Sequence, residues 1–410
     1  MDLINSLRAL VAVAVIFYAS CTQPEGSSAP STPDALDPHL TLNQIQVIGT
    51  HNSYAQPIDS MVMATFGPIL DTLLSARLAA MDEVRMAEYL EYHPNRVSIE
   101  EALSYTHPPL TDQLEAGMRS LEIDVYYDPS GGRFTQPATH RTLSKQPGTI
   151  LLSHDTTGLN TPGFKVLHIP DFDFRSHCPT LRQCLGELRD WSIDHPQHIP
   201  LFILMEIKQQ SLSFLPEATQ ALPFDKRAMD ALDAEILEVL GRDKIITPDD
   251  IRDTFPTLES AVLAGNYPTL KNSRGKFIFL MLPAIDEDAA SAYWEGRPSL
   301  EGRVMFVRSS PGTPRSAFLL LDNAILRQED IQKRVAEGYL VRTRADIETY
   351  EAKVNDPTRM NAAFTSGAHI ISTDFIAAPN HYGTDYHVSL PSKAEAVRNP
   401  INGLLRGTKR

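Results

Sequence analysis

Short apolar runs alternate with amphipathic or irregular stretches along most of the chain. Eight of these runs are strand candidates: 45–50, 120–127, 165–169, 201–207, 277–282, 318–322, 339–343 and 369–373. Several are almost continuously apolar, which is typical of parallel strands that are buried on both faces. The stretch 225–240 carries apolar residues at helical spacing and stops at Gly241. This alternation predicts an α/β fold built as a TIM (β/α)₈ barrel. Two further apolar runs, 149–154 and 303–307, leave the choice of the eight strands open.

The first 21 residues differ from the rest of the chain. Arg8 precedes an apolar stretch over 9–19, and Ser20 and Cys21 follow it. The stretch is too short for a membrane-spanning helix, which needs about 20 residues, and the small residues before Cys21 suit signal-peptide cleavage. The sequence YASC also resembles a bacterial lipobox, whose cysteine becomes lipidated. We therefore expect a signal peptide over 1–20 and an exported lipoprotein anchored to a membrane through Cys21; plain secretion is the alternative.

The stretch after Cys21 has the composition of a tether. Residues 22–40 are rich in Pro, Ser and Gly and lack apolar periodicity. The alternation of strands and helices then continues to the C-terminus without a second linker. We expect a flexible tether over 21–40 and one barrel domain over 41–410, present as a monomer.

The net charge of the chain limits the classes of partner that it is expected to bind. The formal net charge of -14 over 410 residues provides no basic surface for nucleic acid. An acidic site that holds a metal fits this balance better. The partner expected is a small molecule or a lipid and not a nucleic acid.

Two cysteines remain once Cys21 is set aside. An exported chain with the even pair Cys178 and Cys184 predicts a local disulfide. Free buried thiols are the alternative. A zinc site is disfavoured because the two cysteines have no further clustered ligands around them.

Four polar residues near strand ends suggest a metal site, because active sites of TIM barrels lie where the strands end. Glu122 and Asp124 are two positions apart in a strand and project to the same face. Two such carboxylates would repel unless a cation joined them, and Asn52 and Glu206 offer two more oxygen ligands. A hard cation is favoured over zinc, and we expect one Ca²⁺ ion.

Two histidines suit the cleavage of a phosphodiester beside that metal. His51 directly precedes Asn52, and His168 lies in the third candidate strand. Such cleavage needs one group that deprotonates the attacking hydroxyl and another that protonates the leaving alkoxide, both with pKa values near neutrality. We expect His51 and His168 to be catalytic.

Two arginines end the seventh candidate strand. Arginine is suited to bidentate binding of phosphate. Alternation along the strand is expected to point only one of Arg342 and Arg344 inward. We favour Arg344 as a substrate-binding residue, because it lies past the strand at the rim; a structural salt bridge is the alternative.

Four strings of the sequence together resemble a known family: IGTHNSY, HPPLTDQLEAGMRSLEIDVYYDP, GFKVLHIPDFDFRSHCPTLRQCLGELRDWS and PLFILMEIK. They resemble the Ca²⁺-dependent phosphatidylinositol-specific phospholipase C-like branch of the PLC-like phosphodiesterase superfamily, over residues 42 to 380. The resemblance implies a distorted TIM barrel in which His51 and His168 match the catalytic histidines. It also implies a set of metal ligands: Asn52, Glu122, Asp124 and Glu206. A carboxylate of that set is an alternative general base.

The resemblance extends to residues around this core. Lys208 matches a position where related phospholipases hold phosphates of the inositol ring, but Gln210 stands where eukaryotic enzymes have a second lysine. The resemblance therefore does not extend to recognition of polyphosphorylated inositol lipids. His154 resembles the second histidine of glycerophosphodiesterases and is the alternative to His168. Asp374 resembles their closing Thr-Asp, where it would either orient a catalytic histidine or cap a loop.

These expectations lead to one principal function. The inositol 2-hydroxyl of phosphatidylinositol or a related lipid attacks the phosphorus, giving diacylglycerol and a cyclic inositol phosphate. The alternatives are a phosphodiesterase acting on soluble glycerophosphodiesters and an inactive surface binding protein. A lipid substrate predicts exposed apolar residues at the mouth of the site. The candidates, which a core helix would also explain, are Met61, Met63, Phe66, Ile69 and Leu70.

Overall fold

The computed structural model describes residues 36–283 and 290–403. The predicted signal peptide, Cys21 and most of the predicted tether lie outside these residues. The expectations of export and lipidation therefore stay predictions.

The described chain alternates strands with helices. Its strands, β1 to β11 in order, are Ile45–Thr50, Ser120–Asp128, Gly163–Val166, Leu201–Ile207, Ile245–Ile246, Phe277–Pro283, Phe306–Val307, Phe318–Leu320, Leu340–Arg344, Ile370–Thr373 and Val397–Arg398. Its α-helices, α1 to α14 in order, are Ser60–Ala79, Glu83–Tyr92, Ile99–Ala102, Leu110–Glu115, Ala138–Leu143, Leu181–Asp194, Lys226–Leu240, Pro248–Arg252, Leu258–Leu263, Leu270–Ser273, Ser291–Trp294, Ala324–Glu337, Tyr350–Val354 and Thr358–Ser366.

Eight of the strands form a parallel ring. Neighbours pair in the order β7, β6, β4, β2, β1, β10, β9 and β8. A parallel bridge between Arg308, just after β7, and Phe318 in β8 joins the two ends of this order. The predicted α/β fold of the TIM-barrel type is confirmed. The strands β7 and β8 are short, and they meet only at this bridge within the described residues.

The prediction for the third strand is wrong. The segment Gly163–Val166 runs antiparallel to β2, with Val125 opposite Val166, and so lies outside the parallel ring. The run at 303–307 supplies the ring strand β7 instead, and the run at 149–154 forms no strand. The apolar content of a segment indicates that it is buried, but it does not indicate the direction of a strand. The sequence pattern could therefore not distinguish an antiparallel strand from a parallel strand of the ring or from a segment that forms no strand.

A glycine lets β1 and β2 approach each other closely. A Cβ atom on Gly49 would lie 2.1 Å from the carbonyl oxygen of Ser120. Beyond this contact, the Ser53 backbone N–H donates to the carbonyl oxygen of Glu122 at 2.9 Å, and the Ser53 hydroxyl accepts from the Glu122 N–H at 2.8 Å. These bonds join the segment that carries His51 to the strand that carries the acidic pair.

Two local predictions are confirmed. Helix α7 covers the predicted periodic stretch; the Asp225 side chain caps it by accepting from the Ala228 N–H, and Gly241 follows at a φ of 83°. Cys178 and Cys184 form the expected disulfide, with their Cα atoms 5.2 Å apart. The disulfide ties the first turn of α6 to the segment that follows β3.

Helix α1 lies on the barrel with most of its surface exposed. Val62, Phe66 and Gly67 are its buried residues. By length and composition alone, it is the one helix of the described residues that would be able to cross a membrane. Val62 and Phe66 pack in a small apolar cluster with Phe172 and Leu215, which places α1 beside the loops that follow β3 and β4.

Candidate active site

Three carboxylates from two neighbouring strands meet near the carboxyl-terminal ends of those strands. Glu122 and Asp124 lie in β2, and Glu206 in β4 is the register partner of Asp124. One oxygen from each carboxylate lies within 4.8 Å of the others. Glu122 and Asp124 are buried and Glu206 is half-buried. Buried charges of one sign at such distances are costly unless cations balance them.

Two cations of the chain contact this carboxylate cluster. The Lys208 ammonium lies 3.1 Å from Oδ2 of Asp124 and 3.0 Å from Oε1 of Glu206. The guanidinium of Arg342 lies 3.0 Å from Oε2 of Glu122. Burial opposes the charge of Lys208, but attraction to Asp124 and Glu206 raises its pKa above the ordinary value. Its expected contact with substrate phosphate stays a prediction, and its contact with the carboxylates was not foreseen.

The donor set fits a hard cation. Both carboxylate oxygens of Asp124 are buried, and the Lys208 ammonium lies 3.1 Å from Oδ2. Burial raises the pKa of Asp124 to about 7, although Lys208 opposes the shift. A cation ligated by these oxygens would stabilise the ionised form, and a set made only of carboxylates suits Ca²⁺ better than zinc.

Asn52, the expected fourth ligand, is buried just after β1. Its φ of 46° lies in the left-handed region, which asparagine tolerates better than most residues. Its amide nitrogen donates to the Tyr105 hydroxyl at 2.6 Å, and the Tyr54 hydroxyl lies 3.5 Å from its amide oxygen. Two tyrosines thus hold the amide in place, and its role as a ligand stays a prediction.

His51 lies between two acids. Its Nδ1 is 3.0 Å from Oδ1 of Asp374, and its Nε2 is 4.0 Å from Oε1 of Glu122. Burial, reinforced by the charge of Arg344, lowers the pKa of His51. Burial opposes the ionisation of Asp374, but attraction to His51 and Arg344 holds the pKa of Asp374 below its ordinary value. A neutral imidazole whose Nδ1 faces a carboxylate has Nε2 free to accept a proton.

His168 has a comparable arrangement. It follows β3, and its Nδ1 lies 2.8 Å from Oδ2 of Asp173. The hydroxyl of Tyr126 donates to the backbone carbonyl of His168 at 3.0 Å. The charge of His168 is close enough to favour the ionised form of Asp124. His168 is thus held beside the carboxylate cluster with its Nδ1 directed at an acid.

His154, the alternative to His168, lies in an aromatic cluster. Its ring centroid is 5.5 Å from that of His140 and 5.1 Å from that of Phe174. Burial lowers the pKa of His154. The geometry favours His168 as the second histidine, and its catalytic role stays a prediction.

The expectation that only one of two neighbouring arginines points inward is wrong. Residues two positions apart in a strand share a face, and Arg342 and Arg344 both line the same cavity. Arg344 lies 3.1 Å from Oδ2 of Asp374 and 3.4 Å from Nδ1 of His51. Arg344 therefore lies at the predicted rim, but its contacts are with the His51 side of the site.

Two residues near the histidines were not predicted as their partners. Asp173 lies in an irregular loop, where no periodicity marks a partner for His168. The Nε2 of His107 donates to the backbone carbonyl of His51 at 2.8 Å and lies 3.7 Å from Oδ1 of Asp374. The HPP string contains His107, but only the folded chain brings it to His51.

A cavity of about 1110 Å³ opens over this region. Its lining includes five residues of the site: His51, Glu122, Glu206, Arg342 and Arg344. Its outer wall includes the end of α1 and one side of α2, with Arg77, Met81 and Tyr89 among the lining residues. Such a volume is large enough for a small-molecule ligand.

A protein-family comparison agrees with this geometry. The family model described as "Phosphoinositide phospholipase C, Ca2+-dependent" matches residues 40–400. The chain belongs to this family. The expected family, the phosphodiesterase class and Ca²⁺ as the cofactor are thereby confirmed.

Solved structures of similar proteins are distant in sequence. A calcium-dependent phosphoinositol-specific phospholipase C from Pseudomonas sp is 14% identical, with 88% of this chain and 97% of that chain covered and a TM-score of 0.47. A Ca²⁺-dependent phosphatidylinositol-specific phospholipase C from Streptomyces antibioticus is 16% identical, with 84% and 98% covered and a TM-score of 0.49. The phosphatidylinositol-specific phospholipase C from Listeria monocytogenes is 12% identical, with 83% and 92% covered and a TM-score of 0.43. No curated protein matches the sequence.

Proposed function

We propose that this protein cleaves phosphatidylinositol or a related inositol phospholipid by attack of the inositol 2-hydroxyl on phosphorus. The products are diacylglycerol and a cyclic inositol phosphate. The observation that carries the proposal is the pairing of His51 with Asp374 and of His168 with Asp173, both near one carboxylate cluster. Two imidazoles of this kind supply the base and the acid that such a displacement needs.

The two histidines have different roles in this mechanism. His51, whose pKa burial lowers, accepts the proton of the 2-hydroxyl at Nε2 while Asp374 holds its Nδ1. His168, oriented by Asp173, donates a proton to the glycerol oxygen as it leaves. The attack is intramolecular, so the hydroxyl is already near the phosphorus.

The remaining charged residues bind the phosphate and the metal. Glu122, Asp124 and Glu206, with Asn52, would hold Ca²⁺, which withdraws charge from the phosphoryl oxygens when it is bound. Arg344 lies beside His51 and lines the cavity, where its guanidinium is available to a phosphate oxygen.

Exposed apolar side chains favour a lipid over a soluble phosphodiester. On α1, Met61, Ile69 and Leu73 are 40%, 43% and 45% exposed. Of the other residues expected at the mouth, Phe66 is buried, and Met63 and Leu70 are half-buried. Large apolar side chains grouped on one surface mark a site for a membrane or another partner.

Two loops extend this apolar surface beyond α1. Ile150 and Leu152 are exposed in the segment between α5 and β3, and Phe214 is exposed after β4. Their neighbours Leu151 and Leu212 pack in the same apolar cluster as α1, so the three segments are adjacent. We name the exposed group the apolar rim: Met61, Ile69, Leu73, Ile150, Leu152 and Phe214. The rim lies beside loops that follow β1, β2 and β4, on the side of the sheet that carries the site.

The test is an assay of lipid cleavage with and without metal. The purified protein, incubated with vesicles that contain phosphatidylinositol, is expected to release diacylglycerol in the presence of Ca²⁺ and to stop when a chelator is added. Phosphorus NMR identifies the cyclic product. Cleavage of glycerophosphoinositol but not of the intact lipid would favour the soluble-substrate alternative, and no metal-dependent cleavage of either would reject the proposal.

We further propose that the protein is exported and held at a membrane through lipidated Cys21. The signal-like stretch over 1–20 and the YASC sequence support this proposal. A tether over 21–40 would then let the apolar rim reach the same bilayer. Mass spectrometry of the mature N-terminus, compared with a Cys21→Ala variant, tests the lipidation.

A further inference from the structure

The guanidinium of Arg342, which contacts Glu122, is held in place by several contacts. Arg342 reaches Oε2 of Glu122, pairs with Asp322 through a second nitrogen, and donates from Nε to the Ser372 hydroxyl at 3.0 Å. Arg342 is buried in β9. Three anchors on one planar guanidinium leave it no freedom to follow a ligand.

The cation between Asp124 and Glu206 is held differently. Within the described residues, the Lys208 ammonium has ion pairs with Asp124 and Glu206 alone. Lys208 lies one position past the end of β4, and its compact charge sits on a flexible four-carbon stem. Lys208 is therefore able to move while Arg342 stays in place.

Lys208 and a metal ion would compete for the same oxygens. Asp124 and Glu206 are two of the three carboxylates that would hold Ca²⁺, and the Lys208 ammonium lies about as close to both as a hydrogen-bonding partner would. A divalent cation and an ammonium sharing these oxygens would repel each other strongly in a buried site.

We propose that Lys208 is a movable counter-ion that makes the binding of Ca²⁺ and of an anionic phosphate depend on each other. It balances Asp124 and Glu206 until Ca²⁺ takes their oxygens, and its ammonium then pairs with the phosphate. Glu206 lines the cavity, so the displaced ammonium stays within reach of a phosphate bound there. The identity of that phosphate as part of an inositol headgroup rests on the proposed function.

The coupling is reciprocal, which makes it measurable without turnover. A phosphate that receives Lys208 removes the competitor of Ca²⁺, so each ligand tightens the binding of the other by the same factor. The probe is myo-inositol 1-phosphate, titrated with Ca²⁺ by calorimetry. We expect the phosphate to tighten Ca²⁺ binding by about tenfold in the wild-type protein.

Substitution of Lys208 is expected to remove its competition with Ca²⁺ and to weaken the coupling between Ca²⁺ and phosphate. Lys208→Met should bind Ca²⁺ more tightly than the wild type when no phosphate is present, by about tenfold, and should gain less from phosphate than the wild type does. The gain that remains comes from direct attraction between Ca²⁺ and the phosphate. Lys208→Arg should keep the weaker affinity. The control is Lys226→Met, which removes an exposed lysine that pairs with Asp230 on α7 and should change neither value.

A measurement of Tm tests whether the Lys208→Met variant is folded. Lys208→Met removes the counter-ion of Asp124 and Glu206, so its Tm should fall without metal and recover in saturating Ca²⁺ by more than that of the wild type. Unchanged or weaker Ca²⁺ binding by Lys208→Met, or a gain with phosphate as large as that of the wild type, would overturn the inference. Wild-type coupling in a protein that cleaves no inositol lipid would overturn the proposed function and leave the inference standing.

Discussion

The Nδ1 of His51 and the Oδ1 of Asp374 lie 3.0 Å apart, and the two residues come from opposite ends of the described chain. They meet because β1 pairs in parallel with β10, with Thr50 opposite Thr373. Each residue follows its strand directly. The register of two strands therefore sets the contact between the proposed base and the acid that orients it.

Asp374→Asn is expected to lower kcat on phosphatidylinositol by about 100-fold or more, because the amide no longer favours the His51 tautomer with a free Nε2. Initial rates of diacylglycerol release measure the effect, with Asp190→Asn on the exposed face of α6 as the control. The pH profile of kcat should also change, which a purely structural role would not require. Wild-type kcat and pH profile in Asp374→Asn would contradict the assignment.

His168→Ala is expected to reduce kcat by about 1000-fold, because the leaving glycerol oxygen loses its proton donor. His154→Ala should have no comparable effect, since His154 packs with His140 and Phe174. Parallel assays of the two variants, with Tm values to establish folding, separate the two histidines. A larger loss of kcat in His154→Ala than in His168→Ala would assign the second catalytic role to His154.

Ca²⁺ binding should weaken as the pH falls through 7. Burial raises the pKa of Asp124 to about 7, so its carboxylate is mostly ionised at pH 8 and mostly protonated at pH 6. A proton on Asp124 must be lost before the carboxylate can bind metal, which predicts an affinity about tenfold lower at pH 6 than at pH 8. Calorimetric titrations at the two pH values measure this difference. Asp124→Asn should bind more weakly and show a smaller pH dependence; an undiminished dependence would point to another group.

Charge placed on the apolar rim should separate membrane binding from catalysis. Ile69→Glu or Leu73→Glu is expected to weaken vesicle binding by about 10- to 150-fold, because burial of one such side chain in a bilayer is worth about 1.5–3 kcal/mol. Cleavage of soluble glycerophosphoinositol should be unaffected. Vesicle sedimentation gives the affinity, and Ile193→Glu, an exposed apolar residue at the end of α6, is the matched control. Equal losses on lipid and soluble substrates would mean that the substitutions damage the site itself.

Local sequence patterns predicted those parts of the site that lie within one strand. The spacing of Glu122 and Asp124 alone places both carboxylates on one face, and the run before Glu206 marks the next strand of the site. The same reasoning misassigned the third strand, because an apolar segment pairs with its neighbour in either direction. It also set Arg342 aside, although two-residue spacing puts it on the same face as Arg344.

The sequence predicted the barrel class, the carboxylate pair and the disulfide, since each follows from periodicity, residue chemistry or short separation. It left His154 as an alternative to His168. The folded chain was needed to show which acid faces each histidine, that Lys208 contacts Asp124 and Glu206, and that Arg342 reaches Glu122. These contacts join residues that are distant along the chain or held in irregular loops. Strand register and loop packing determine these contacts, and neither produces a periodic pattern in the sequence.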